Sequence, residues 1–255
     1  MYWCVVNAGK LDRESFQLPA RGRLPSMRYM SLQMEPIGVV ETCYAEKFGV
    51  PRQPGLVPQA WGRVIFDAAF RGEDFLRGIE DFSHLWLIFQ FHQAPAKKGR
   101  GTVRPPRLGG NERKGVFATR APYRPNGIGL SVVELVRVDR SHPDGPVLEV
   151  RGVDLVNGTP ILDVKPYVKF CDSVEDARSG FVTGEPERIS VVWECECSLD
   201  PERVGLIEST IALDPRPAYQ EDSSRIYGCS IDACEVRWRV DGGRAIIVEL
   251  SAASP

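Results

Sequence analysis

The feature that most constrains this chain is a succession of short apolar runs, each bounded by glycine or proline, with no regular helical pattern between them. GRVIFD (Gly62 to Asp67) alternates apolar and polar residues, SHLWLIFQFH (Ser83 to His92) is a compact apolar run, and GVFATR, LSVVELVRVD, VLEVRGVDLV and PILDVKPYV repeat the signal. Period-two alternation suits a half-buried strand, and a compact apolar run suits a strand buried on both faces. A doubly wound parallel sheet needs a helix of about 10 to 15 residues between successive strands. Only EDFLRGI (Glu73 to Ile79) reads as a helix on such a connection, and it is short. The 20 prolines and 24 glycines add frequent turns. The expected fold is mainly β, a barrel or a strongly curved sheet.

Residues 1–33 lack periodicity and a strong apolar segment, and Met27, Met30 and Met34 crowd their end. They read as a loose, disordered leader, or as an over-extended start if initiation falls at Met34, directly before the strand-like IGVVET. The β-rich part is expected over 34–170. A polar, acidic, glycine-interrupted stretch at 171–188 reads as a linker, and 189–255 as a small α+β module. That module carries a strand (RISVVWECEC), a helix from Pro201 to Leu213, the turn-rich DPRPAY and a closing hairpin. In the hairpin Val236, Trp238 and Val240 alternate with Arg237 and Arg239, and Asp241, Gly242 and Gly243 form the turn.

Several function classes are disfavoured. No apolar run reaches the ~20 residues that span a bilayer, and MYWCVVNA lacks the basic start of a secretory signal, so a cytoplasmic protein is expected. Seven cysteines at irregular spacings suit reduced, packing thiols, and three histidines are too scattered for a metal site. No metal is expected. GGNERKG is not a P-loop, and NGIGLS lacks the full GxGxxG, which argues against a Rossmann cofactor site.

Charge is distributed unevenly. Between Lys97 and Arg124 nine cations face one anion, Glu112, a local charge of +8 in a chain whose net charge is −2. Such asymmetry points to a polyanionic partner meeting one face, and arginine favours two-pronged contacts with phosphates. Gly109, Gly110 and Gly115 permit close backbone approach, while Pro105, Pro106, Pro122 and Pro125 stiffen the stretch. The plainer alternative is a solvated basic loop.

Three further groups of polar residues stand out. In KFGVPRQPG, Arg52 can grip a carboxylate and Gln53 can donate and accept, which suits an amino-acid-like ligand; an exposed turn is the alternative. His84 and His92 lie eight residues apart, on one face of an unbroken strand, and His92–Gln93 ends the apolar run where pocket-lining residues usually sit. DLVNGTPILDVKPY is interrupted by Asn157–Gly158, a turn signal that by itself means a hairpin, with Asp154 and Asp163 able to polarise a bound group at that edge.

KFGVPRQPGLVP, FSHLWLIFQFHQ, TVRPPRLGGNERKGVFATRAPYRPNGIGLSVVEL, DLVNGTPILDVKPY and DPRPAY together, in this order, resemble the TrmO (TsaA-like) family of tRNA methyltransferases. The resemblance implies a single-sheet β-barrel, not a Rossmann fold, with a small C-terminal domain. It also implies a homodimer and S-adenosylmethionine-dependent N6-methylation of t6A at position 37 of tRNA, giving m6t6A. Carried over block by block, the cofactor contacts are Pro51, Arg52, Gln53, His92, Gln93, Arg120, Leu130, Val156, Asn157, Gly158 and Thr159. On this reading Arg104, Arg107, Arg113, Lys114 and Arg124 hold phosphates of the anticodon loop, Asn111 shapes the pocket mouth, and Tyr123 stacks on a splayed base. The resemblance assigns no catalytic residue; Asp154, Asp214 and Tyr219 are candidate acceptors for the N6 proton. Gly127 departs from the family, which often has proline there. A non-catalytic tRNA-binding barrel and a methyltransferase of a small metabolite are the competing functions.

Overall fold

The structure is a computed structural model that describes residues 33–94, 101–109, 111–217, 220 and 222–253. The expected leader therefore lies outside the described residues except for Gln33, as do Lys97, Lys98, Arg100, Gly110 and Tyr219. Glu35–Pro255 forms one compact unit.

Six strands close into an antiparallel barrel. They are β1 (Gly38–Thr42), β2 (Trp61–Phe66), β3 (His84–Gln90), β6 (Ile128–Asp139), β7 (Val147–Arg151) and β8 (Thr159–Pro166), in the order β1-β2-β7-β6-β3-β8. Along β2 burial alternates residue by residue, placing Val64 and Phe66 inside, and β3 turns Leu85, Leu87 and Phe89 inward. Closure follows from the sequence pattern: strands with one apolar face and no helices to cover them bury that face by curling upon themselves. Phe89 fills the barrel beside Gly129, where a Cβ would stand 2.2 Å from the ring, so the close approach requires glycine.

Short elements decorate the barrel. Helix α1 (Glu73–Leu76) follows β2, and a two-stranded ribbon, β4 (Thr102–Val103) with β5 (Lys114–Gly115), projects from the long β3–β6 connection. Helix α2 (Lys169–Asp172) follows β8. The helix expected through Ile79 stops at Leu76, because Gly78 adopts φ 83 and breaks it before a separate 3-10 turn.

The C-terminal part is a four-stranded sheet in the order β10-β11-β12-β9, formed by β9 (Ser190–Trp193), β10 (Tyr227–Ile231), β11 (Cys234–Asp241) and β12 (Arg244–Ala252), with helix α3 (Pro201–Ala212). The expected hairpin is present, with Asp241 paired to Arg244 across Gly242 and Gly243, both at positive φ. Helix α3 starts where Asp200 accepts from the Glu202 and Arg203 amides, with Pro201 in its first turn. The strand expected over RISVVWECEC is confined to Ser190–Trp193, and β10 escaped the sequence reading because its YGCSI is short and interrupted by glycine.

The two parts share one hydrophobic cluster. Tyr44 bridges to Ile231, its hydroxyl lies 3.2 Å from Thr210 Oγ1, and the Asp232 amide donates to the Cys43 carbonyl at 2.8 Å. Cys43 and Cys229 are buried there, and burial pushes both thiols up to about 12, so they act as small apolar groups.

Candidate functional site

Barrel topology gathers three connections at one rim. Antiparallel pairing brings together the end of β1 and start of β2, the end of β3 and start of β6, and the end of β7 and start of β8. The loops 43–60, 91–127 and 152–158 therefore leave the same end. Every cofactor or RNA residue expected from sequence lies in these loops or in the first residues of β6 and β8.

The first loop is held from below by the C-terminal sheet. Phe48 stacks on Trp238 with ring centroids 5.8 Å apart, and Pro51 is buried. The Gly55 amide donates to the Gly152 carbonyl at 2.9 Å. Arg52 and Gln53 thereby stand at the rim, with the Arg52 guanidinium exposed and without a hydrogen-bond or ion-pair partner among the described residues.

The third loop is fastened to β1. The Thr42 amide donates to Asn157 Oδ1 at 3.0 Å, the Thr42 hydroxyl to the Leu155 carbonyl at 2.9 Å, and the Asn157 and Gly158 amides to Tyr44 and Val40 at 2.8 and 2.9 Å. Thr159 is buried and its hydroxyl donates to Val156 at 2.6 Å. Asn157–Gly158 is a turn, but the hairpin expected from sequence does not form. Strands β7 and β8 never pair with each other, since β7 lies between β2 and β6 while β8 lies between β3 and β1.

The second loop closes the site. Strand β3 ends at Gln90, so His92 does not share a strand face with His84; it lies past the Phe91 amide, which donates to Gly127 at 2.8 Å. Lys47 donates to the Gln93 carbonyl, and partial burial with the Lys47 charge lowers the His92 pKa. Arg120 donates to Gln53 Oε1 at 2.5 Å, joining residues 67 apart in sequence. Gly127 adopts φ 63, which proline cannot, so this turn is built differently from one containing proline.

A polar pair, buried Ser131 of β6 and half-buried Asp154, joins the barrel wall to the third loop. Ser131 points into the barrel at 1% exposure and donates to Asp154 Oδ1 at 2.6 Å. Burial pushes the Asp154 carboxyl up to about 6, against the lowering effects of the Ser131 hydrogen bond and the Arg120 charge. Leu130, 52% exposed, faces the opposite side of β6 from Ser131. Sequence reasoning missed Ser131, because a lone serine in an apolar strand carries no signal of what it meets.

The described residues of the basic stretch form an arm around the β4–β5 ribbon. Arg104 and Arg107 are exposed and unpartnered among the described residues, and Asn111 and Tyr123 are exposed near them in sequence. Arg113 donates to Thr102 Oγ1 at 3.2 Å, and Lys114 pairs with Glu112 at 2.5 Å. Arg124 donates to the Val116 and Thr119 carbonyls at 3.2 and 2.6 Å, bracing the arm from within. GVFATR, expected as a strand, has only Gly115 in β5 and continues as a 3-10 turn at Val116–Ala118, closed by the Thr119 amide on the Val116 carbonyl at 3.2 Å and by Arg124, with Phe117 79% exposed. Phe117, with the Arg124 guanidinium 6.0 Å from its ring, was not foreseen as a contact.

A cavity of about 380 Å³ lies elsewhere, between β2, β7 and α3, and its charges are already paired, Arg151 with Glu202 and Arg203 with Asp232. Among the described residues no group of His, Cys, Asp or Glu converges to hold a metal, and no helix is long and apolar enough to cross a membrane.

A closed six-stranded barrel whose rim joins Gln53 to Arg120, with exposed arginines on the adjoining arm, defines the class: a mainly β barrel protein without a Rossmann sheet. Residues 39–173 match the family model of the tRNA-methyltransferase O N-terminal domain, and residues 190–253 match that of the TrmO C-terminal domain. The chain is 45% identical over 221 residues to the tRNA (adenine(37)-N6)-methyltransferase of Escherichia coli K12, covering 82% of this chain and 94% of that one. It is 42% identical over 148 residues to "Probable S-adenosyl-L-methionine-binding protein" of Pyrococcus abyssi, covering 58% and 74%. A solved structure titled "Crystal structure of TrmO" superposes with a TM-score of 0.72 at 36% identity, covering 88% of this chain and 100% of the other. The chain belongs to the TrmO family of tRNA methyltransferases.

Proposed function

We propose that this chain transfers the methyl group of S-adenosylmethionine to N6 of adenosine 37 in tRNA, taking t6A as substrate and giving m6t6A. The observation that carries this reading is the Arg120–Gln53 contact, which ties the cationic arm to the loop bearing Arg52. The names of the Escherichia coli and Pyrococcus abyssi relatives supply the nucleotide and the cofactor.

The donor set at the rim suits such a cofactor. Arg52 offers an uncommitted guanidinium to an amino-acid carboxylate, Gln53 and Arg120 offer a polar rim, and His92–Gln93 and Val156–Thr159 offer backbone and side-chain edges on either side. When bound, the cofactor supplies an electrophilic methyl group. The chain's own residues then have to position N6, exclude water and accept a proton. The target adenine must leave its stack to reach the rim. Arg104, Arg107, Arg113 and Lys114 line an arm suited to anticodon-loop phosphates, and Phe117 and Tyr123 offer faces on which unstacked bases can rest. The expected assembly is a homodimer.

The test is methylation of purified tRNA, with and without t6A, followed by nucleoside mass spectrometry. The expected result is one added methyl on the t6A nucleoside alone. Absence of any methylated nucleoside overturns the activity, and equal methylation of unmodified A37 overturns the t6A requirement. Arg52→Ala is expected to weaken cofactor binding without changing affinity for tRNA.

A further inference from the structure

We infer that Asp154 accepts the N6 proton during methyl transfer, with Ser131 as the residue that orients it. This rests on the proposed t6A reaction.

The chemical need is specific to that substrate. In t6A the N6 atom lies between a purine ring and a carbamoyl carbonyl, so its lone pair is delocalised twice and it is a poor nucleophile while it keeps its hydrogen. A carboxylate that withdraws the proton as the bond forms restores the lone pair. N6 gains its bond to the methyl carbon and loses its N–H bond. The proton passes to Asp154, and the electron pair of the broken carbon–sulfur bond remains on sulfur, which becomes neutral. Asp154 returns the proton to water after product leaves.

Asp154 is a carboxylate placed for this. Asp154 stands two residues before the Val156–Thr159 segment and close enough to Arg120 to feel its charge, so it belongs to the rim where cofactor and nucleotide meet. Ser131 Oγ holds Oδ1 at 2.6 Å from the barrel interior, and the backbone amide of Asp154 also bonds the carboxylate. The Ser131 hydrogen bond thus fixes the orientation of the carboxylate, as a positioned base requires. Burial opposes the ionised form of Asp154, while the Ser131 hydroxyl, the backbone amide of Asp154 and the Arg120 charge favour it. The resulting balance leaves the carboxyl at about 6, above the usual carboxylate range. The two other acids singled out in the sequence are committed: Asp214 is held by both prongs of Arg216 at 2.7 and 2.8 Å, and Asp163 pairs with Lys165 at 3.0 Å.

The test is single-turnover methyl transfer to t6A-containing tRNA from pH 5 to 9, with cofactor and tRNA affinities measured separately. The wild-type rate is expected to climb through an acid limb and level off. Asp154→Asn keeps an oxygen for Ser131 and is expected to lower the rate about 100-fold or more, removing the limb while both affinities stay within about threefold. Ser131→Ala removes a hydrogen bond to the ionised carboxylate, so the limb moves to higher pH and the loss is larger at pH 6 than at pH 8. Three results overturn the assignment: an Asp154→Asn rate within about threefold of wild type, an acid limb that survives in that variant and so belongs to His92, or a cofactor affinity that falls in proportion to the rate. If Asp154→Asn does not fold, a limb unmoved in Ser131→Ala overturns it alone. Inactivity of the wild-type protein on t6A tRNA overturns the proposed reaction instead.

Discussion

Thr42→Val removes one hydroxyl and almost no volume, and its consequence can be worked from the hydrogen bonds around it. The hydroxyl donates to the Leu155 carbonyl at 2.9 Å and accepts from the Tyr44 amide at 3.2 Å, in a position where Thr42 is 6% exposed. Valine strands both backbone groups away from water, and each stranded group costs about 1–3 kcal/mol. Some relaxation is expected, so the net loss is roughly 2–4 kcal/mol. For a compact unit of this size each kcal/mol lowers Tm by about 2–4 °C, which gives a fall of roughly 4–16 °C in differential scanning calorimetry. The loop from Asp154 to Gly158 also loses an anchor, so S-adenosylmethionine binding, read by titration calorimetry, is expected to weaken by up to about tenfold, the equivalent of 1.4 kcal/mol. Thr42→Ser keeps the hydroxyl and is expected to lose less than half as much Tm. If Thr42→Val melts within 2 °C of wild type, or no lower than Thr42→Ser, the hydroxyl does not hold this rim together.

Three other variants probe separate parts of the molecule. Gly129→Ala puts a methyl 2.2 Å from the buried Phe89 ring, and the overpacking is expected to cost about 1–3 kcal/mol, visible as a lower midpoint in urea unfolding. Asp200→Ala deletes the acceptor for two amides at the start of α3 and is expected to cost about 1 kcal/mol in the same assay, with methyl transfer at low temperature unchanged. Arg104→Glu with Arg107→Glu is expected to weaken tRNA binding and to flatten its dependence on log salt by about 0.7 for each single-strand phosphate that is no longer neutralised; an unaltered slope places the RNA elsewhere.

Much of the barrel was legible because its information is local. Period-two alternation in Trp61–Phe66, the compact run at His84–Gln90 and the Asp241–Arg244 turn each require only near neighbours to specify a strand or a bend. The same limit explains the misreadings. GVFATR alternates like a strand, but Arg124 draws the Val116 and Thr119 carbonyls into a turn and turns Phe117 outward, an interaction invisible to a window of six residues. Asn157–Gly158 signals a turn correctly, yet whether the flanking strands pair depends on barrel order, which is set by closure of all six strands.

The candidate residues were legible as separate blocks, and the cationic arm as a charge imbalance, because residue type and spacing survive in one dimension. What the sequence alone determined is therefore the fold class, the chemistry available and the kind of partner. Only the tertiary structure decided which groups share a site: Arg120 with Gln53, Ser131 with Asp154, and Phe48 with Trp238 beneath the Arg52 loop. The reason is physical. Hydrogen bonds, desolvation and packing act over a few ångströms of space, and the closed barrel is what converts separations of 23 to 190 residues along the chain into neighbours at that range.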